Sequence, residues 1–402
     1  MTNDANTSSF AHISTGLIHH PYTPPAGFDA PQPGVFKAST VYFPTVADMR
    51  QREWKDKSAY TYGTHGTPTT FTLEERLCTL EGGKHCVLTP SGLSALAVAA
   101  FAVLKTGDHV LLPDNSYGPN KTLAEGELQS FGVSHNYYDA MNPQDLASKI
   151  QPNTKLVWTE APGSLTFEVP DLKEILKLAK AHGARTGIDN TWAAGIAYKP
   201  FEHGFDFSIQ ALTKYQCGHA DVLMGAVLSN NTRAFADVER KNRVLGLGVS
   251  PADCDLVLRG LLTLPLRYKQ QAENGLVVAK ALQQHPAIAR VLHPEFAECP
   301  GHEFYKRDFQ GFASIFSVVL KPEFTDEQAC AIIDNLKLFK IAYSWGGPES
   351  LGLVVNIPDS RRRHLADEHG RCGPILRLAI GLEEPADLIA DLMQALDTTN
   401  RS

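Results

Sequence analysis

The sequence predicts an α/β protein, with a large domain on a mostly parallel sheet flanked by helices and a smaller C-terminal α+β domain. Three observations carry that expectation. From Phe71 to about Asn230, helix-period stretches alternate with short apolar runs, the pattern of strands joined by crossover helices. After about Asp255 the pattern changes to a long helix-like stretch followed by mixed strand and helix candidates. At 402 residues the chain is also too long for one ordinary core. We divide it into an N-terminal arm at 1–59, a large domain at 60–255 and a C-terminal domain at 256–402.

The arm is polar and proline-rich. Pro21, Pro24, Pro25, Pro31 and Pro33 each fix φ and remove a donor, so no long helix fits there. Val35, Phe36, Val41, Tyr42 and Phe43 cannot be buried by the arm itself and are expected to pack on another subunit. Further on, Thr89-Pro90-Ser91-Gly92-Leu93 leads into a run with apolar residues at Leu93, Leu96, Ala97, Ala100, Phe101 and Leu104, the spacing of one helix face. Gly92 would open that helix. Free N–H groups at such a start, with glycine allowing close approach, make a site for phosphate. A plain serine N-cap explains the same residues, and one helix end can serve both purposes.

Strands are expected at Val110–Leu112, Leu156–Trp158, Thr186–Ile188 and Val222–Val227, with a helix from Asp171 to Ala181 closed by His182-Gly183. In the C-terminal part, a helix from Leu256 through Leu282 contains Pro265. It is followed by a strand at Ala313–Leu320, a helix at Thr325–Leu338, a strand at Leu376–Ile380 and a closing helix at Glu384–Leu396.

The chemistry centres on Lys214, in Ser208-Ile209-Gln210-Ala211-Leu212-Thr213-Lys214-Tyr215. A lysine among apolar residues can lose its proton and act covalently, although a surface loop is the commoner home for any one lysine. Asp189 changes those odds, because it ends the run Ala184–Ile188 as a carboxylate at a strand end. Pyridoxal phosphate needs a lysine for its aldehyde and an ionised carboxylate opposite its pyridine nitrogen. With the phosphate site at Ser91, Gly92 and Leu93, the three requirements of that cofactor are present. Arg377 lies within the apolar run Ile375–Ile380, where a guanidinium has either an internal acid partner or an incoming substrate carboxylate.

These residues carry a resemblance. The chain resembles the cystathionine γ-synthase and β-lyase family of pyridoxal-phosphate enzymes, most closely its bacterial β-lyase branch, from about Tyr60 to the C-terminal helix. The matching segments are Tyr62–Thr69, Pro90-Ser91-Gly92, Asn115-Ser116-Tyr117, Ile188–Gly195, Ala211–Tyr215, Gly218–Asp221, Tyr343–Gly347 and Arg377.

The resemblance implies a fold-type I architecture and pyridoxal 5'-phosphate held covalently by Lys214. It further implies Tyr117 stacked on the cofactor ring, Thr213 donating to the phosphate, and Tyr62 reaching a neighbouring subunit's phosphate. Arg377, Ser344 and Trp345 would bind substrate, together with Tyr62, in a homotetramer built of dimers with shared active sites. Lys214, Tyr117 and Tyr62 are the catalytic candidates.

Thr64 departs from the family, which commonly has a phosphate-binding arginine there; a hydroxyl supplies neither charge nor a bidentate fork. Ser164 stands where relatives often have asparagine, and Ser208 reads as structural. The implied reaction is β-elimination of cystathionine to homocysteine, pyruvate and ammonia, with cysteine or cystine desulfhydration as a further activity. Tyr343–Gly347 resembles the β-lyases rather than γ-synthases or homocysteine-forming sulfhydrylases, and an O-acyl-homoserine sulfhydrylase or a γ-lyase is the alternative. A cofactor-binding regulator without turnover is the reading from another class.

Composition narrows the field. With 37 basic against 44 acidic residues, and no basic block beyond Arg361-Arg362-Arg363, nucleic-acid binding gets no support. That triplet follows Pro358-Asp359 and reads as a solvated loop. No apolar run has the length of a membrane span, and Met1-Thr2-Asn3-Asp4 does not start a leader, so a cytoplasmic protein is expected. Seven scattered cysteines imply reduced thiols rather than a disulfide framework. His85-Cys86 and Cys217-Gly218-His219 lack metal-ligand spacing, so no metal is expected.

Overall fold

The computed structural model describes residues 12–23, 26–52, 57, 59–362 and 364–399. Met1-Thr2-Asn3-Asp4, Pro24, Pro25 and Arg363 lie outside them.

Seven strands form the first sheet: β1 (His85–Thr89), β2 (His109–Pro113), β3 (Ser134–Tyr138), β4 (Thr154–Glu160), β5 (Arg185–Asp189), β6 (Phe207–Ala211) and β7 (Gly225–Ser229). Their spatial order is β1-β7-β6-β5-β4-β2-β3. Strands β3, β2, β4, β5 and β6 are parallel to one another, whereas β7 runs antiparallel to both β6 and β1. Burial on both faces follows from the crossover helices. Val110 and Leu112 of β2 pack with Leu96 and Ala100 of helix Gly92–Val103, while Leu111 between them packs with Ile175 and Ala179 of helix Leu172–His182.

A second, antiparallel sheet has β8 (Ile288–Leu292), β9 (Ile315–Leu320), β10 (Leu351–Val355) and β11 (Ile375–Ala379) in the order β10-β11-β9-β8. Helices Leu264–Gln283, Asp326–Asp334 and Pro385–Thr399 cover it, with Phe316, Leu378, Ile332, Leu388 and Leu392 in the shared core. The α/β class and the two sheets are as the sequence predicts.

Several elements differ in detail. The long helix expected through Leu256–Leu282 is two helices, Pro251–Leu261 and Leu264–Gln283, because Pro265 occupies the first turn of the second. The helix expected to reach Leu338 stops at Asp334, and the N–H groups of Lys337 and Leu338 donate instead to the Asp391 carboxylate. Strand β7 begins at Gly225 rather than Val222. In helix Gly92–Val103 the buried face is Ala95, Leu96, Val98, Ala99 and Ala100, and Leu93 is exposed.

The arginine triplet is corrected more sharply. Arg361 is only 5% exposed, paired with Glu168 at 3.0 Å, because the one-turn helix Asp359–Arg362 turns it inward. Arm residues Val35, Phe36 and Tyr42 remain exposed, as expected, while Leu17 of the short helix Ile13–Ile18 joins the core beside Leu73 and Leu77. All seven cysteines are free. No helix among the described residues is long and apolar enough to cross a membrane.

What this architecture positions is an edge. The carboxyl ends of β2, β4, β5 and β6 open together onto one side of the first sheet, where ligands bind in folds of this kind. Tyr215 joins that edge to the second sheet. It is fully buried, its hydroxyl accepts the Ser314 N–H at 3.0 Å, and it shares a further 3.0 Å hydrogen bond with the Ser314 hydroxyl. We expect Tyr215→Phe to lower unfolding stability by about 1–3 kcal/mol, since the Ser314 N–H would be left buried without an acceptor. Denaturant melts checking the variant would disprove this if they overlaid those of the wild type.

Candidate active site

Strand β6 ends at Ala211, and the chain turns at once, the Lys214 N–H donating to the Ala211 carbonyl at 3.1 Å. That turn aims the Lys214 side chain back across the strand ends. Its Nζ donates to the Ser344 hydroxyl at 2.7 Å and lies 5.5 Å from the centre of the Trp345 ring. Burial, and then the Arg377 guanidinium, bring the amine down to about 8, while Asp189 pulls the other way. A neutral amine is therefore accessible near physiological pH.

The loop Ser344–Gly347 is pressed onto this turn. Ser344 and Gly346 both take φ of 82°. At Gly346 an added Cβ would come within 3.0 Å of the Tyr215 nitrogen, so glycine is required there for close approach. Trp345 packs edge-on against Tyr215 with centroids 5.5 Å apart, and Gln271 donates to the Gly347 carbonyl at 2.6 Å.

Arg377 sits mid-strand in β11 beneath the same loop. Its Nη2 donates to the Ser344 carbonyl at 3.3 Å, its Nε is buried without a partner, and it makes no ion pair among the described residues. Burial lowers its pKa. Of the two sequence alternatives, the internal acid is not the arrangement found. A desolvated guanidinium with unused donors can take a carboxylate in a two-bond fork.

Asp189 ends β5 and accepts the Thr191 N–H at 3.1 Å. Burial raises its pKa, opposed by the Thr191 hydrogen bonds and by Lys214. Directly across the strand pair, in register with it, is Glu160 at the end of β4. Glu160 accepts the Tyr117 N–H at 2.6 Å and the Ser164 hydroxyl, and burial plus the Asp189 charge push it up to about 8. Glu160 was not singled out from the sequence. Its signal was there in Leu156-Val157-Trp158-Thr159-Glu160, an apolar run ended by a carboxylate like the one ending in Asp189.

Tyr117 leaves β2 through Asp114-Asn115-Ser116 and precedes the helix opened by Gly118-Pro119. It is 43% exposed at the cleft, and burial, Asp189 and Glu160 raise its hydroxyl pKa. Ser91 is a true N-cap, accepting the Ser94 N–H at 3.0 Å. The helix start lies against the end of β6, since a Cβ on Gly92 would sit 2.7 Å from the Ala211 Cβ and one on Gly225 would sit 2.2 Å from the Ser91 carbonyl oxygen. The Thr213 hydroxyl is engaged on both sides by Met224, donating to its carbonyl at 3.2 Å and accepting its N–H at 3.1 Å.

Ser208 is structural, as expected: with Asn190 and Gln210 it donates to the buried Glu81 carboxyl. Tyr62 and Thr64 lie elsewhere in the single chain. They occupy the turn Tyr62–Gly66, Tyr62 bridges to Thr40 of the arm, and neither bonds to the Lys214 cleft among the described residues. A separate cavity of about 150 Å³, lined by Asp114, Thr166, Glu168, Arg361 and His364 among others, has none of Lys214, Ser344 or Arg377 in its lining.

The cleft thus offers an amine poised to lose its proton, a carboxylate at a strand end, a helix start cleared by glycines and an arginine with spare donors. The family model of the Cys/Met metabolism PLP-dependent enzymes matches residues 14–397.

The chain belongs to that family.

Among its relatives, a cystathionine beta-lyase of Bordetella avium is 39% identical over 97% of this chain and 98% of its own. An L-alanine/L-glutamate racemase of Wolbachia pipientis is 37% identical over 90% of this chain and 92% of its own. The solved structure of metB from Corynebacterium glutamicum superposes with a TM-score of 0.86 at 28% identity, covering 96% of this chain and 98% of that one. The cofactor is pyridoxal phosphate, and the cleft fits it. The residues that could hold it are Lys214 at the aldehyde, Asp189 at the ring nitrogen, and the N–H groups of Gly92 and Leu93 at the phosphate.

Only the neutral amine attacks an aldehyde, so covalent uptake of the cofactor by the apoprotein is expected to rise with pH through about 8. Arg377→Ala should move that midpoint upward by removing a like charge, and Lys214→Ala should abolish uptake. Stopped-flow absorbance measures the rate. A rate indifferent to pH across that region would contradict the geometry of the buried amine.

Proposed function

We propose that the protein is a carbon–sulfur lyase that splits L-cystathionine by β-elimination, giving homocysteine, pyruvate and ammonia for methionine biosynthesis, with cysteine or cystine as further substrates. The observation that carries this reading is the placing of Arg377 and Ser344 beside the Lys214 amine. A carboxylate held by that guanidinium sets the α-carbon of an amino acid next to a base. The name of the Bordetella avium relative adds support.

The bound cofactor supplies an electron sink for charge developing at the α-carbon. The chain's own residues do the rest. Arg377 grips the α-carboxylate in a two-bond fork, and Ser344 orients the amine. Lys214, neutral because it is desolvated beside Arg377, removes the α-proton. Asp189 keeps the ring nitrogen protonated. Trp345 lines the cleft beside the amine, and the Tyr117 hydroxyl or the Lys214 ammonium returns a proton to the departing sulfur.

For assembly we propose a homotetramer of two dimers, in which the exposed arm and Tyr62 meet a neighbouring subunit's cleft, Tyr62 serving its phosphate and substrate. The support is that Tyr62 is 46% exposed and engages none of the cleft of its own chain among the described residues. Thr64, on the same turn, would approach that phosphate as a hydroxyl.

Incubating the cofactor-loaded protein with L-cystathionine and identifying the products tests the reaction. Pyruvate with homocysteine is expected. Oxobutyrate with cysteine would replace it by a γ-lyase. Absence of product would lead to a sulfhydrylase or to a regulator without turnover, and loss of optical activity from L-alanine without keto acid would lead to a racemase like the Wolbachia relative. For the assembly, sedimentation is expected to give the tetramer mass, and a fully active monomer would overturn the shared site.

A further inference from the structure

We propose that Glu160 is a positioning residue that fixes the Tyr117 ring over the cofactor cleft, by accepting the Tyr117 N–H and sharing a hydrogen bond with the Ser164 hydroxyl from a strand end side by side with Asp189. The proposal rests on the function proposed above and deepens it.

The geometry is specific. Glu160 is 9% exposed, and each of its two oxygens is engaged by a different loop. One oxygen holds the loop after β2 at the residue that carries the aromatic ring. The other holds the loop after β4 through Ser164, whose carbonyl accepts from Arg361 at 3.0 Å. Arg361, reaching over from the C-terminal part, also donates to Thr166 and Glu168, so this second loop is a fixed support. The register of β4 and β5 sets Asp189 beside the carboxyl, which ties the ring-covering tyrosine to the residue facing the ring nitrogen.

Tyr117 itself is partly exposed; its carbonyl accepts the Asn120 N–H at 2.9 Å as the following helix opens, and the Glu160 oxygen is the side-chain contact that ties its N–H to the sheet. Without the carboxyl, the Tyr117 N–H would have to turn to water and would lose its tie to the end of β4. Loss of the Glu160 oxygens therefore releases the loop.

The charge state follows from the same arrangement. With Asp189 ionised, burial and that neighbouring charge keep Glu160 protonated below about 8. The other titratable or charged groups facing it are Tyr117, Lys121 and Arg361. Glutamine mimics the protonated form, keeping one acceptor for the Tyr117 N–H and turning its amide toward the Ser164 oxygen.

The test compares Glu160→Gln, Glu160→Ala and Glu160→Met in the holoenzyme. Methionine fills the volume without acceptors and serves if alanine fails to fold. We expect about a hundredfold loss of kcat with alanine or methionine and about threefold with glutamine, a displacement of the covering ring being the cause. Cofactor affinity, titrated into the apoprotein by fluorescence, should weaken about tenfold in the first two and hold in the third.

Glutamine as damaging as alanine would mean that an ionised carboxylate is needed, overturning the proposal. Alanine and methionine variants with wild-type affinity and turnover would also overturn it. If wild type itself releases no pyruvate, the lyase reading fails, while the affinity measurement and its rescue by glutamine still decide the role of Glu160.

Discussion

A 2.7 Å hydrogen bond from the Lys214 amine to the Ser344 hydroxyl joins the edge of one sheet to a loop packed on the other, and the properties of the cleft follow from that closeness. The loop can lie there because Gly346 has no Cβ to strike the Tyr215 nitrogen and because Tyr215 is anchored to Ser314. Bringing the loop down also brings Arg377 within electrostatic reach of Lys214. Desolvation and a neighbouring cation act in the same direction on an ammonium, which is why the amine falls to about 8 while most lysines stay ionised.

The opposite pressure acts on the acids. Asp189 and Glu160 stand abreast at the ends of β5 and β4, and burial penalises a charge on either. Asp189 has the nearby Lys214 and the Thr191 N–H to favour ionisation, whereas Glu160 has Asp189 against it. Two carboxyls a strand spacing apart are thereby pushed toward different protonation states, one able to serve a pyridinium and one able to organise loops.

A polar layer under the strands supports this edge. Glu81 is buried at the end of helix Pro68–Glu81 and receives Asn190, Ser208 and Gln210, while Lys199 caps the nearby carbonyls of Leu80 and Gly195. Asn190 follows Asp189 and Gln210 lies three residues before Thr213, so the network holds the two strand ends from which the cofactor-facing groups depart. A buried carboxyl persists there because every donor around it is used to satisfy it.

By itself the sequence determined the α/β class and the local starts and stops, since periodicity, the Ser91 cap and Gly183 after His182 act over a few residues. It also determined the cofactor chemistry, because Lys214, Asp189 and the Ser91-Gly92 helix start are short-range signals at strand and helix ends. Tertiary structure alone decided which carboxylate stands beside Asp189, because that depends on the register between β4 and β5. It decided that Arg377 has no acid partner among the described residues and that Arg361 is buried with Glu168, since partners of a charge come from distant segments. Local sequence carries caps and periods, but pairing across 130 residues, as between Lys214 and Ser344, exists only once the sheets have packed.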